Sequence, residues 1–299
     1  MIPPEDQVGE EDAAYNIMIL KLLYELRWLK RMKISILERK ENYTKMILED
    51  INPAFVNALR RVMIAEIPCL AIEDVWITEN NTPLYDEIIA HRLGLIPLKT
   101  TENYVLPSQC GCGGEGCAQC QVNFKIEKEA VEGPVTVYSG DLQSEDPEVI
   151  AASPTITIIE LLKGQKLVLE AFAKLGLGEE HAKWQPVATC SYKYLPLIRI
   201  DYEKCEKCEK CVTACPRQIL SFKNDQVQIQ NAMQCNFCMS CQEACETEPV
   251  KAIQVSWSAT KFIFTVESSG TLPCEKIVMK ACEILKAKVK NFREAIKSL

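Results

Sequence analysis

Hydrophobic and polar positions alternate in two short runs early in the chain, KISILERK from Lys33 and YTKMILED from Tyr43, with a polar turn between them. A period of two predicts a pair of β-strands. The period then changes. Phe55, Leu59, Val62 and Met63 recur at helical spacing behind Asn52, a good N-cap, and Pro53, which suits a first helical turn; Pro68 ends the run. A second long helix is predicted from Pro273, with Ile277, Ala281, Ile284, Leu285, Phe292 and Ile296 along one side. Between the two helices, ILSFKNDQVQIQ from Ile219 alternates around Asn224 and Asp225, the pattern of a hairpin. Arg60 and Arg61 lie beside the first helix's apolar face, where charge pattern alone leaves open a solvated pair or a contact to a partner.

A chain of 299 residues has room for two or three domains with cores of their own. At 47% hydrophobic and 25% charged, its composition is that of an ordinary globular protein. No long uncharged apolar run occurs, so no membrane span is expected. The apolar stretch from Tyr15 is broken by Lys21, Glu25, Arg27 and Lys30 and follows acidic residues, the wrong flank for a secretory signal. Net charge is −7 with the signs interspersed, so direct binding of nucleic acid is not expected, although a nucleic-acid machine can hold such a chain in a supporting role. Sixteen cysteines without an export signal point to a reducing cytoplasm, where thiols serve metals rather than crosslinks.

Eight of those cysteines stand at one spacing used twice. CEKCEKCVTACP places Cys205, Cys208, Cys211 and Cys215, and CNFCMSCQEAC places Cys235, Cys238, Cys241 and Cys245, each as CxxCxxCxxxC. Three cysteines on a curling loop face one cavity while the fourth points elsewhere, the bacterial ferredoxin arrangement, in which the fourth cysteine of each run ligates the other run's cluster. The expected sets are Cys205, Cys208, Cys211 and Cys245 on one [4Fe–4S] cluster, and Cys215, Cys235, Cys238 and Cys241 on a second. A disulfide framework or a pair of zinc sites are the bland alternatives. The second run departs from the ferredoxin pattern: Pro216 follows Cys215, but Glu246 follows Cys245 and proline arrives only at Pro249. Whether Cys245 closes its cluster in the usual way is therefore left open.

A third group, Cys110, Cys112, Cys117 and Cys120, sits in the glycine-rich loop QCGCGGEGCAQC. Four soft thiolates on a permissive loop suit one closed tetrahedral zinc site, against the alternative of a flexible reduced loop. Cys69, Cys190, Cys274 and Cys282 are scattered and read as small buried hydrophobes. Of the two histidines, His91 shares a stretch with Asp86, Glu87 and Arg92, better read as a polar helix face than as a catalytic cluster; His181 is the other. No nucleophile elbow, Walker loop or acidic magnesium string is present, so the chain itself is expected to be non-catalytic.

Three ordered strings carry a resemblance: FVNALRRVMIAEIP from Phe55, AIEDVWI from Ala71 and DEIIAHRLGLIPL from Asp86. With GEEHAKWQPV around His181, FTVESSG around Glu267 and the final helix, the chain from Met32 onward resembles the archaeal RNA polymerase D family, relatives of the third subunit of eukaryotic RNA polymerase II and of bacterial α. Met32 stands where the family's chains begin, so residues 1–31 are read as an extension or a mis-set start. Some archaeal members carry a ferredoxin-like domain, and eukaryotic members have a zinc loop similar to that at Cys110.

The resemblance implies an α+β fold. A split α-like dimerisation domain, residues 32–69 with 256–299, is interrupted by an insert, residues 70–194, and by a ferredoxin-like domain, residues 195–255. It also implies a non-catalytic assembly subunit that pairs with subunit L and nucleates assembly of the large catalytic subunits. Phe55, Leu59, Arg60, Arg61, Ile277, Ala281, Ile284, Leu285 and Phe292 are the expected interface. The rival class is a low-potential electron-transfer protein using two [4Fe–4S] clusters, which gives no reason for the α-like strings.

Overall fold

The computed structural model describes residues 32–298; the expected N-terminal extension, residues 1–31, lies outside the described residues. In chain order the elements are β1 (Lys33–Lys40), β2 (Tyr43–Glu49), α1 (Pro53–Ala65), β3 (Cys69–Asn80), α2 (Asp86–Gly94), β4 (Gln121–Glu129), β5 (Val135–Tyr138), β6 (Gln143–Ser144), β7 (Thr157–Leu161), β8 (Lys166–Gly176), β9 (Val187–Ile200), α3 (Lys210–Ala214), β10 (Leu220–Lys223), β11 (Gln226–Ile229), α4 (Ser240–Glu243), β12 (Ile253–Ser268) and α5 (Cys274–Lys297). The fold is mixed, with antiparallel sheets and two long helices. Among the described residues, one unit holds 32–38, 45–57 and 191–264, and a second holds 39–44, 58–190 and 265–298.

A four-stranded sheet of order β1–β2–β12–β9 supplies the frame of the first unit. Met46, Ile47, Leu48, Phe262, Ile263 and Phe264 are buried, so the middle strands carry the apolar load. Tyr192 stacks edge-on against Phe262 with centroids 5.7 Å apart, and Tyr194 lies 5.0 Å from the same ring. Neighbouring strands β9 and β12 flank residues 201–252, and the Asp201 N–H donates to the Ala252 carbonyl at 2.8 Å across the neck of that segment. Beyond the neck, β10 and β11 pair in a register that leaves Asn224 and Asp225 as a two-residue turn, both with positive φ, as a type I′ hairpin needs.

The second unit is built on the antiparallel sheet β3–β8–β4–β6. Along β8 burial alternates residue by residue, and Leu167, Leu169, Ala171 and Ala173 point into a core with Leu70, Ile72, Phe124, Ile126, Ile89 and Leu93. Helix α2 packs on that core: Arg92 Nη1 donates to the Ile158 carbonyl at 2.6 Å, and Asp86 accepts from Asn80 Nδ2 at 2.7 Å. His181 Nδ1 accepts from the Lys183 N–H at 3.1 Å and caps a short turn. At the end of β8, Gly176 leaves room for the Trp184 indole, which a Cβ there would strike.

Helix α1 starts where the sequence suggests, with Asn52 Oδ1 accepting from the Phe55 N–H at 2.8 Å. Helix α5 buries Ile277, Val278, Ala281 and Cys282. Further along it, Val289, Phe292 and Ile296 are exposed.

Candidate metal centres

The two CxxCxxCxxxC runs fold as copies of one curl. Lys207 and Glu209 in the first run, and Phe237 and Met239 in the second, take left-handed backbone at matching places between the cysteines. For a residue with a Cβ that conformation costs about 1–2 kcal/mol. The curl turns successive thiols toward one centre, and a short helix, α3 or α4, then carries Cys215 or Cys245 away from its own run.

The first three cysteines of run one meet the last of run two. Cys205, Cys208, Cys211 and Cys245 line one cavity, closed by Ile200, Val227 and Ile253. Burial, then the neighbouring sulfurs of Cys205 and Cys208, raise the Cys211 thiol above its ordinary range. In the second set, burial followed by the sulfurs of Cys215, Cys235 and Cys238 pushes Cys241 up to about 11. Thiols that raise one another in this way are held close together, as a shared cation requires.

Around these sulfurs the core is small. Cys211, Cys215, Cys235, Cys241 and Cys245 are five of its eleven buried members, with Ile219, Leu220, Val227, Ala252, Ile253 and Val255 as the rest. Cys208 and Cys238 remain exposed at the rims. So few apolar side chains stabilise little, which is the situation in which metal ligation carries a small domain.

Two further residues hold the runs in place. Thr247 Oγ1 lies 3.2 Å from Cys245 Sγ and accepts from the Ala252 N–H at 2.7 Å, which pins the segment where the ferredoxin proline is displaced. Lys193, on β9, donates through Nζ to the carbonyls of Met233 and Cys235 at 2.6 and 2.9 Å. Desolvation, then the charge of Lys45, lowers its pKa. Phe237, inside the second curl, packs edge-on to Trp257, 6.3 Å away, and Trp257 neighbours Tyr194 at 6.2 Å. A hydroxyl two residues past a cysteine is visible in sequence. The part played by Lys193 is not, because it depends on how β9 runs beside a distant loop.

The glycine-rich loop is a separate centre. Cys110, Cys112, Cys117 and Cys120 bring their sulfurs within 4.8 Å of one another and could hold a metal ion. The Cys110–Cys112, Cys110–Cys117, Cys112–Cys120 and Cys117–Cys120 separations are 3.4, 3.5, 3.6 and 3.8 Å. Four thiolates at about 2.3 Å from one tetrahedral zinc ion stand about 3.8 Å apart, so the donor set and its size fit. The Gly116 N–H, then the Cys110 thiol and the Gly114 N–H, hold the Cys112 thiol below its ordinary range. Gly113, Gly114 and Gly116 all have positive φ, which lets those amides turn inward.

The expected pairing residues fall into three environments. Phe55, Leu59, Ile277 and Ala281 are buried within the chain itself. Arg60, Ile284 and Leu285 are half-buried, and Arg61 is exposed. Phe292 is 68% exposed, and Val289 and Ile296 continue the same open apolar stripe. No helix among the described residues is long and apolar enough to cross a membrane.

Comparison with known proteins adds family to geometry. Residues 45–289 match the family described as the RNA polymerase Rpb3/Rpb11 dimerisation domain. The chain is similar to the DNA-directed RNA polymerase subunit Rpo3 of Archaeoglobus fulgidus, 44% identical over 89% of this chain and 98% of the relative. The Rpo3 subunit of Methanosphaera stadtmanae is 42% identical over 87% of this chain and 97% of its own, and that of Pyrobaculum arsenaticum 38% identical over 88% and 96%.

Proposed function

The chain belongs to the RNA polymerase Rpb3/Rpb11 dimerisation family, and from that premise we propose that it is a non-catalytic assembly subunit of a DNA-directed RNA polymerase, acting in transcription from the cytoplasm. The observation that carries this reading is the open apolar stripe of α5, Val289, Phe292 and Ile296 following the half-buried Ile284 and Leu285, in a chain whose family is defined by dimerisation. Exposed side chains of that size in a row mark a surface that a partner covers. The partner is the small subunit L, and the pair is the platform on which the large catalytic subunits assemble. The α-like domain takes residues 32–69 with 256–299, residues 70–194 form the insert with the glycine-rich loop, and residues 195–255 form a ferredoxin-like domain.

Two [4Fe–4S] clusters occupy that domain in this reading, one on Cys205, Cys208, Cys211 and Cys245 and one on Cys215, Cys235, Cys238 and Cys241. What supports the crossed sets is the cavity that Cys245 shares with the first run, and the repeated left-handed curl. When bound, the clusters supply cross-links among loops that lack a core; the residues do the rest, with Lys193 and Thr247 fixing the loops and Ile253 and Val227 closing them off from solvent. The role of the clusters is structural, with redox adjustment of assembly as the second use. One zinc ion on Cys110, Cys112, Cys117 and Cys120 staples the glycine-rich loop.

Co-expression of this chain with an archaeal subunit L, followed by mass determination, tests the assignment. A one-to-one heterodimer is expected. A monomer or homodimer alone would overturn it.

A further inference from the structure

We propose that the Thr247 hydroxyl donates a hydrogen bond to the Cys245 sulfur and raises the reduction potential of the cluster assigned to Cys205, Cys208, Cys211 and Cys245, so that the two clusters are electrochemically unequal. The proposal rests on the cluster reading above. Its geometry is local and specific. Thr247 Oγ1 is 3.2 Å from Cys245 Sγ. The Ala252 N–H already donates to that oxygen at 2.7 Å, so one lone pair is engaged and the single hydroxyl proton remains to be placed. It has two acceptors in reach, Cys245 Sγ and the Val250 carbonyl at 3.4 Å. A sulfur bound to iron has lost its proton and carries negative charge, so the hydroxyl must be the donor in that pair, and the charged acceptor takes the stronger bond.

Burial makes the bond consequential. Thr247 is 9% exposed and Cys245 8% exposed, so water does not replace the hydroxyl and the bond acts in a low dielectric. Reduction adds one electron to the cluster, and a donor aimed at a ligand sulfur stabilises the more negative state, which raises the potential. The other centre has this device only in an exposed form. Cys215 is followed by Pro216 and Arg217 where Cys245 is followed by Glu246 and Thr247. Ser240 does hydrogen-bond to Cys238, but at an exposed sulfur where water competes.

The test uses the full chain, reconstituted anaerobically with iron and sulfide and titrated with dithionite while the reduced clusters are followed by electron paramagnetic resonance. Thr247→Val removes the hydroxyl at nearly constant volume, and Thr247→Ser keeps it. The expected result is that one of two midpoints moves to lower potential in Thr247→Val, the other stays, and Thr247→Ser matches the parent. Unmoved midpoints in Thr247→Val, or equal shifts of both, would overturn the proposal. So would loss of about half the iron in Thr247→Val with full iron in Thr247→Ser, because the hydroxyl would then serve to hold the cluster and not to tune it. A parent chain that takes up no iron refutes the cluster reading itself, a distinguishable failure.

Discussion

Lys193 Nζ lies 2.9 Å from the carbonyl oxygen of Cys235, and the same ammonium reaches the Met233 carbonyl at 2.6 Å. One side chain from the sheet thus satisfies two acceptors at the mouth of the second cysteine run. Lys193→Met would keep the stem and leave both part-buried carbonyls without their donor, at a cost of up to about 1 kcal/mol for each. Iron should leave this variant several-fold faster under a chelator, and an unchanged release rate would show that the tie does not restrain the loop.

Iron and sulfide counts test the crossed sets directly. Anaerobically purified chain should hold about eight irons and as many sulfides. Cys245→Ser should lose about half of each, since Cys245 belongs with the first run's cavity. Full retention, or zinc in place of iron, contradicts the assignment.

The glycine-rich loop should behave independently. One equivalent of zinc is expected to persist after iron is stripped in air, and Cys117→Ser should release it without touching the iron count. The sulfur separations of 3.4–3.8 Å suit a single tetrahedral zinc ion. A loop free of metal in reducing, zinc-replete buffer would refute this.

Pairing should respond to α5 and not to the clusters. Ile277 and Ala281 are core residues of the chain, so changing them tests folding; Phe292, 68% exposed, tests association. Phe292→Asp, and Leu285→Asp beside it, place a carboxylate in the covered face at a cost of several kcal/mol. Size-exclusion should show loss of pairing with full iron. Conversely, Cys208→Ser with Cys238→Ser should lose iron and still pair. The reverse pattern would mean that the cysteine runs build the interface.

Two buried thiols set an alkaline limit. Desolvation raises Cys69 to about 11 and Cys282 to about 12 in the folded chain, whereas an exposed cysteine titrates near about 8.5. The unfolded chain therefore releases these protons first. Their contribution is complete below about pH 8.5 and declines as pH rises from there toward the folded values, by up to about 1.4 kcal/mol per pH unit for each thiol. Urea midpoints between pH 8 and pH 10.5 should fall less steeply in Cys69→Ala with Cys282→Ala. Parallel slopes would place the alkaline loss elsewhere.

Much of this was legible from spacing. The caps and periods around Asn52 and Pro273 announce α1 and α5, and the Asn224–Asp225 turn announces the β10–β11 hairpin, because each depends on neighbours within a few residues. The cysteine repeat reported its curl for the same reason: matching left-handed positions at Lys207 and Phe237 follow from a repeated local pattern. What spacing does not carry is which part of a stripe the chain covers for itself. Ile277 and Phe292 look alike in a helical period, yet one is buried and the other open, because burial is decided by elements far away in sequence. Lys193 escaped for that reason too, since it acts through carbonyls brought near by the course of β9.

Strands β2 and β12 are neighbours in one sheet, and the Ile51 N–H donates to the Thr260 carbonyl at 3.2 Å, although residues 43–49 and 253–268 stand near opposite ends of the chain. A contact so distant in sequence closes late, and a ribosome delivers the N-terminal strands first. Strand β2 must therefore wait for β12, and both cysteine runs emerge before β12 is finished. The order of synthesis itself therefore completes both cysteine runs, residues 205–245, before the strand that closes the sheet.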